Sequence, residues 1–170
     1  MQIPKKKRTE RLTATEAVYL TKDGIARMEA RLERLKRELP AAAEEAAHAA
    51  SFGDRSENDA YKQAKSILRR TQGQIWQIED ELKRVVEIKT GDTGHGTRDT
   101  VTLGSTVTIE DKNGKRQIYQ LLGTLETNPE RGIISNKSPL GAALMGKKKG
   151  ETIKIQTARG TQEWKVREIL

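Results

Sequence analysis

The sequence predicts an α+β protein in two domains: an N-terminal antiparallel two-helix coiled coil, and a small C-terminal antiparallel sheet with one short helix. Three observations predict it. Two adjacent segments each carry an apolar stripe at alternating spacings of 3 and 4, separated by a short break that contains glycine. A stretch rich in glycine and threonine follows at 90–100. Beyond it the apolar period changes to two.

The chain begins with a charge cluster, Lys5, Lys6, Lys7 and Arg8, with no apolar run behind it. This pattern does not read as a secretory signal. Residues 1–18 are expected to form a solvated, disordered basic tail with non-specific attraction for nucleic acid. The first stripe follows: Ile25, Met28, Leu32, Leu35 and Leu39, continued by Ala42, Ala46 and Ala49. After the break, Ala64, Leu68, Thr71, Ile75, Ile78, Leu82 and Val85 repeat the pattern. With so short a connection the two helices must run antiparallel. The hairpin spans 19–89, and a first helix over 24–52 would extend roughly 43 Å at 1.5 Å per residue. The alanines near the tip allow close approach, so the far end is thin as well as long.

The break contributes two carboxylates, Asp54 and Glu57, three residues apart where the second helix begins. Two hard oxygen donors on an exposed tip at 53–58, with open positions beyond them, suit Mg²⁺, which keeps several waters and takes one or two protein carboxylates plus phosphate oxygens. The same spacing also fits a capping box, with Asp54 as N-cap and Glu57 at N3, and Ser56 with Asp59 makes an overlapping one. The two readings are compatible, because one box starts the helix and leaves the other pair free. Along the second helix, Lys62, Lys65 and Arg69 recur at 3 and 4 on one flank, with Arg55 in the tip itself. Such a stripe attracts phosphates; the alternative is a solvated coiled-coil flank. His48 and His95 have no partner at ligand spacing and are assigned no chemistry.

In the C-terminal region, 101–170, strands are expected at 101–103, 107–109 and 117–121, with Asn113 and Gly114 as the tight turn. Ser138 as N-cap, Pro139 at N1 and Gly146 as the stop bound a short helix. A second hairpin is expected from 151–157 and 162–169, with Trp164 as a core or half-buried strand residue. The charge is uneven: the net value of +8 resides in the tail and this region, while the hairpin is nearly neutral. No cysteine is present, which excludes disulfides and thiolate chemistry and fits a cytoplasmic setting. No apolar run reaches the roughly 20 residues needed to cross a bilayer.

The tip, Gly53-Asp54-Arg55-Ser56-Glu57-Asn58-Asp59-Ala60-Tyr61, resembles that of the bacterial Gre transcript-cleavage factors, Gly-Asp-x-x-Glu-Asn-x-x-Tyr. Similarity extends to Tyr19-Leu20-Thr21-Lys22-Asp23-Gly24, to Gly73-Gln74-Ile75 with Ile78-Glu79, and to Ser138-Pro139-Leu140-Gly141-Ala142-Ala143-Leu144-Met145-Gly146-Lys147-Lys148-Lys149-Gly150-Glu151. One departure is Ala49-Ala50-Ser51-Phe52 before the tip glycine, where the family often has a basic residue. The resemblance implies an FK506-binding-protein-like C-terminal domain that docks at the rim of the secondary channel of bacterial RNA polymerase. It implies a coiled coil passing down that channel to the extruded 3′ end of the nascent RNA. Asp54 and Glu57 then help hold a Mg²⁺ ion shared with the polymerase and not stably bound by the chain in isolation. Ser56, Asn58 and Tyr61 become tip supports, and Arg55, Lys62, Lys65 and Arg69 contact RNA. On this reading the chain is a monomer and no enzyme on its own. Two alternatives stand beside it: a secondary-channel regulator or inhibitor without cleavage stimulation, and a prolyl isomerase-like module.

Overall fold

The computed structural model describes residues 16–52, 59–89, 99–157 and 160–170. Two long helices dominate its N-terminal half, α1 (Lys22–Ala50) and α2 (Asp59–Leu82). The predicted stripes form their seam. Leu32, Leu35, Ile75 and Ile78 make a buried cluster, with Met28, Leu39 and Leu82 packed against it. Ala46 and Ala64 are buried farther toward the tip, where their small side chains let the backbones close. A bridge from Lys36 to Glu79, 2.9 Å long, crosses between the helices and raises the pKa of the lysine. It links the middle of α1 to the far end of α2, as an antiparallel pair requires.

Pro40 lies inside α1 and is exposed. Its ring nitrogen cannot donate to the carbonyl one turn back, so the helix survives there on its seam contacts rather than on local propensity. Pro40→Ala is therefore expected to stabilise the hairpin by up to ~3 kcal/mol, read as a rise in the helical melting temperature. An unchanged or lower midpoint would show that Pro40 itself is needed for the seam.

Helix α1 has the expected length, but α2 ends at Leu82, short of the stripe the periodicity suggested. Val85, expected on the α2 stripe, lies instead in strand β2 (Val85–Ile88), which pairs in parallel with β1 (Val18–Thr21). Val18 is buried and in strand, although the sequence reading places it in the tail. A four-residue strand of β-branched residues at a helix end carries no period long enough to separate it from a heptad. The pairing that reveals it joins residues more than sixty positions apart.

The C-terminal half is a five-stranded sheet in the order β5-β4-β3-β7-β6. Its strands are β3 (Thr106–Asp111), β4 (Arg116–Leu122), β5 (Ile133–Ser135), β6 (Thr152–Thr157) and β7 (Gly160–Ile169). All pairs are antiparallel except β4 with β5. The expected turn closes β3 on β4, with Gly114 at φ 81° and the Asp111 carboxylate accepting from Asn113 N and Lys115 N. The expected helix is α3 (Pro139–Leu144), with the Ser138 hydroxyl accepting from Gly141 N at 3.1 Å. It covers the inner face of the sheet, where Val107, Ile109, Leu121, Leu144, Ile153, Trp164, Val166 and Ile169 form the core. The expected strand at 101–103 is absent. Val101 is fully buried, but its backbone bonds to Lys147 and Gly146 in the loop after α3 rather than to a ladder. On the outer face Glu110 is gripped by Arg167 at 2.6 Å and Arg116 at 2.9 Å, which lower its pKa. Its contribution to stability is thus present above the ordinary carboxylate pKa and lost as pH falls through the lowered one.

The halves meet at the base of the hairpin. A 3-10 turn, Thr124–Glu126, lies under β1 and the start of α1. Gly123 passes so close to Tyr19 that a side chain there would strike the Tyr19 carbonyl. Lys137 pairs with Glu16 at the same junction.

Candidate site at the hairpin tip

Helix α1 stops at Ala50 because Ser51 turns its side chain back: Oγ donates to the His48 carbonyl at 2.6 Å and the Ser51 amide donates to the same carbonyl at 3.0 Å. Phe52 follows, 64% exposed, with its ring edge-to-face with His48 at 4.7 Å. Asp54, Arg55, Ser56, Glu57 and Asn58 lie outside the described residues, as does the question of which capping box starts α2. By chain position they join the C-terminal end of α1 to the N-terminal end of α2, the end of the hairpin remote from the sheet. Among the described residues no cluster of three or more His, Asp or Glu side chains could hold a metal ion. The expected carboxylate pair, Asp54 and Glu57, is of the hard-oxygen type that suits Mg²⁺.

The four described members of the set, Tyr61, Lys62, Lys65 and Arg69, line one shallow depression on α2 together with Ser66. Spacings of 3 and 4 make this inevitable on a straight helix. The charges are less free than the sequence suggested. Asp59, outside the stripe in the sequence reading, accepts from Lys62 Nζ at 3.2 Å. That pair is well exposed and worth little in water, so a phosphate can displace the carboxylate at small cost. Lys65 Nζ sits 5.1 Å from the centre of the Tyr61 ring, one helical turn away. Tyr61 thus props a cation of the stripe, a contact that its spacing of four from Lys65 could have indicated.

The junction holds a group that sequence reasoning missed. Glu126 is 105 residues from Thr21, yet its Oε2 accepts from the Thr21 amide at 2.6 Å and its Oε1 from the Thr21 hydroxyl at 2.7 Å. Arg27 Nη2 donates to Oε1 at 2.7 Å. No local pattern around Glu126 marks it, because its partners come from the other half of the chain.

Together these features define a protein class: a long two-helix rod with a chemically specific tip sequence, carried on a small α+β domain. Residues 18–86 match the family described as transcription elongation factor, N-terminal, and residues 96–170 match the GreA/GreB C-terminal domain. Over 159 residues, 92% of this chain and 98% of the relative, the sequence is 38% identical to transcription elongation factor GreA of Listeria monocytogenes. It is 39% identical over 153 residues, 88% and 95% of the two chains, to the GreA factor of Bacillus cereus. A solved structure, GreA factor homolog 1 of Thermus thermophilus, is similar with 29% identity over 91% of this chain and 99% of that one, at a TM-score of 0.41. The chain belongs to the GreA/GreB family of transcription elongation factors.

Proposed function

We propose that this chain rescues backtracked or arrested bacterial RNA polymerase by stimulating Mg²⁺-dependent cleavage of the extruded RNA 3′ end. The observation that carries the reading is the intact Asp54 and Glu57 pair at the remote end of the rod in a member of this family. The C-terminal domain docks at the rim of the secondary channel. Helix α1, 29 residues long, spans roughly 43 Å, a length that sets the carboxylates a fixed distance from the dock. A Mg²⁺ ion shared with the polymerase would supply charge stabilisation at the scissile phosphate. Asp54 and Glu57 would hold that ion with their anionic oxygens. Lys62, Lys65 and Arg69 offer cations to the RNA backbone behind the cleavage point, and the chain completes an active site without containing one. The pair also distinguishes this reading from that of a channel-binding inhibitor, which has no use for it.

The test adds the purified protein to a stalled, backtracked bacterial elongation complex with Mg²⁺. Shortened RNA is expected, with free RNA left uncut at the same concentration. No shortening in the complex would overturn the reading; cleavage of free RNA, abolished by Asp54→Asn, would overturn the shared site.

The stripe gives a further expectation. Lys65→Ala with Arg69→Ala should weaken cleavage of complexes with long extruded RNA more than of those with short, because a short end reaches only the tip. The deficit should shrink as salt rises, since phosphate contacts release counterions. Equal loss at both lengths would mean a folding or docking defect instead.

A further inference from the structure

Among the contacts that join the rod to the C-terminal domain, one buried carboxylate takes three hydrogen bonds. We infer that Glu126 is a positioning residue, which fixes the angle of the coiled coil on the C-terminal domain and so aims the tip; this rests on the function proposed above. Its side chain is 4% exposed, although it belongs to a surface turn. Both oxygens are used, three donors converge on them, and all three come from the start of the rod. The carboxylate also lies at the N-terminus of α1. There Thr21 is the N-cap and its hydroxyl accepts from Gly24 N at 3.0 Å while donating to Glu126. A negative charge at that end complements the partial positive charge of the helix. Gly24 is part of the same fit, since a Cβ on it would collide with the Glu126 carboxylate.

Apolar packing contributes to this join through buried Val18, Leu20 and Leu122, but it is incomplete beside the carboxylate. A cleft of about 310 Å³ opens beside Glu126, lined by Leu20, Met28, Ile78 and Leu125 among others, and Leu125 is 44% exposed. Leverage makes the angle matter. Over a rod of ~43 Å, a swing of ~10° at the base moves the tip by ~7 Å. Catalytic groups need placement within ~0.5 Å. A carboxylate held by three fixed donors resists such a swing better than a loosely filled apolar contact.

The test is made on the full chain. It has no cysteine, so Ala47→Cys on the rod and Gln162→Cys on the sheet, both exposed, accept spin labels for a distance distribution in the free protein. A narrow distribution is expected with Glu126 present and a broad or shifted one in Glu126→Ala, with helix content unchanged. Glu126→Gln keeps the length and an acceptor for Thr21 and is expected to broaden the distribution less, which guards against a variant that fails to fold. Gly24→Ala attacks the same fit from the other side and should broaden it too. With backtracked polymerase, Glu126→Ala should lower the maximal cleavage rate ~10-fold or more while the binding constant changes little. Distributions as narrow and as centred as the parent's in both Glu126 variants would overturn the inference, as would broadening without loss of rate. If the parent protein fails to stimulate cleavage, the proposed function falls, and the distances in the free protein still judge the clamp.

Discussion

Asp54→Asn or Glu57→Gln is expected to reduce stimulated transcript cleavage by ~100-fold or more, because a metal-held charge in a transition state is worth several kcal/mol and each ~1.4 kcal/mol is tenfold in rate. Binding to the polymerase should hardly change. Each substitution preserves side-chain shape and removes one charge from the tip, while the docking proposed above involves the C-terminal domain. The competing account is that the pair merely caps α2. A lost cap costs ~1 kcal/mol and would appear as a lower melting temperature with cleavage intact. Parallel measurement of cleavage, polymerase affinity and thermal midpoint separates the two, and normal cleavage in either variant would remove that residue from the site.

The second large effect is on stability. Leu121→Ala should destabilise the C-terminal domain by about 2–5 kcal/mol, a sizeable part of the ~5–15 kcal/mol that holds a typical domain together. Leu121 is fully buried on the inner face of β4, where it meets the other side chains of the core. Removing its branched end leaves a cavity that a close-packed core cannot close. The change should be visible in the fluorescence of Trp164, which belongs to the same core, as an earlier unfolding transition. The coiled-coil seam has its own cluster, separate from this one, so helical content should be lost later than tertiary signal in the variant. Simultaneous loss of both signals would show that the clamp at Glu126 couples the two halves into one cooperative unit.

Where local rules were enough, they placed the elements correctly. The heptad stripes located the seam, Met28, Leu32, Leu35 and Leu39 against Ile75, Ile78 and Leu82, because a buried face on an exposed helix must repeat at 3 and 4. Ser138, Pro139 and Gly146 bounded α3, because the cap, the fixed φ and the left-handed stop act within one turn. Asn113 and Gly114 located the β3–β4 turn for the same reason. Local rules failed at the helix ends and at 101–103. Val85 fits a heptad and a strand equally well, and Val101 is apolar because it is buried, although it belongs to no ladder. That Lys62, Lys65 and Arg69 share one flank of α2 followed from helical spacing, whereas Tyr61 was named from the resemblance, and the partial neutralisation of Lys62 by Asp59 was not foreseen.

The sequence by itself determined the rod, the sheet hairpins, the short helix and the identity of the tip residues, since each depends on patterns within a few turns of chain. Only the tertiary structure decided how the rod is mounted. The parallel pairing of β1 with β2 and the seating of Glu126 on Thr21, Gly24 and Arg27 join residues 67 to 105 positions apart. Such contacts arise when two finished elements meet, and a carboxylate that will be buried between them looks, in the sequence, like any other charge on a surface turn.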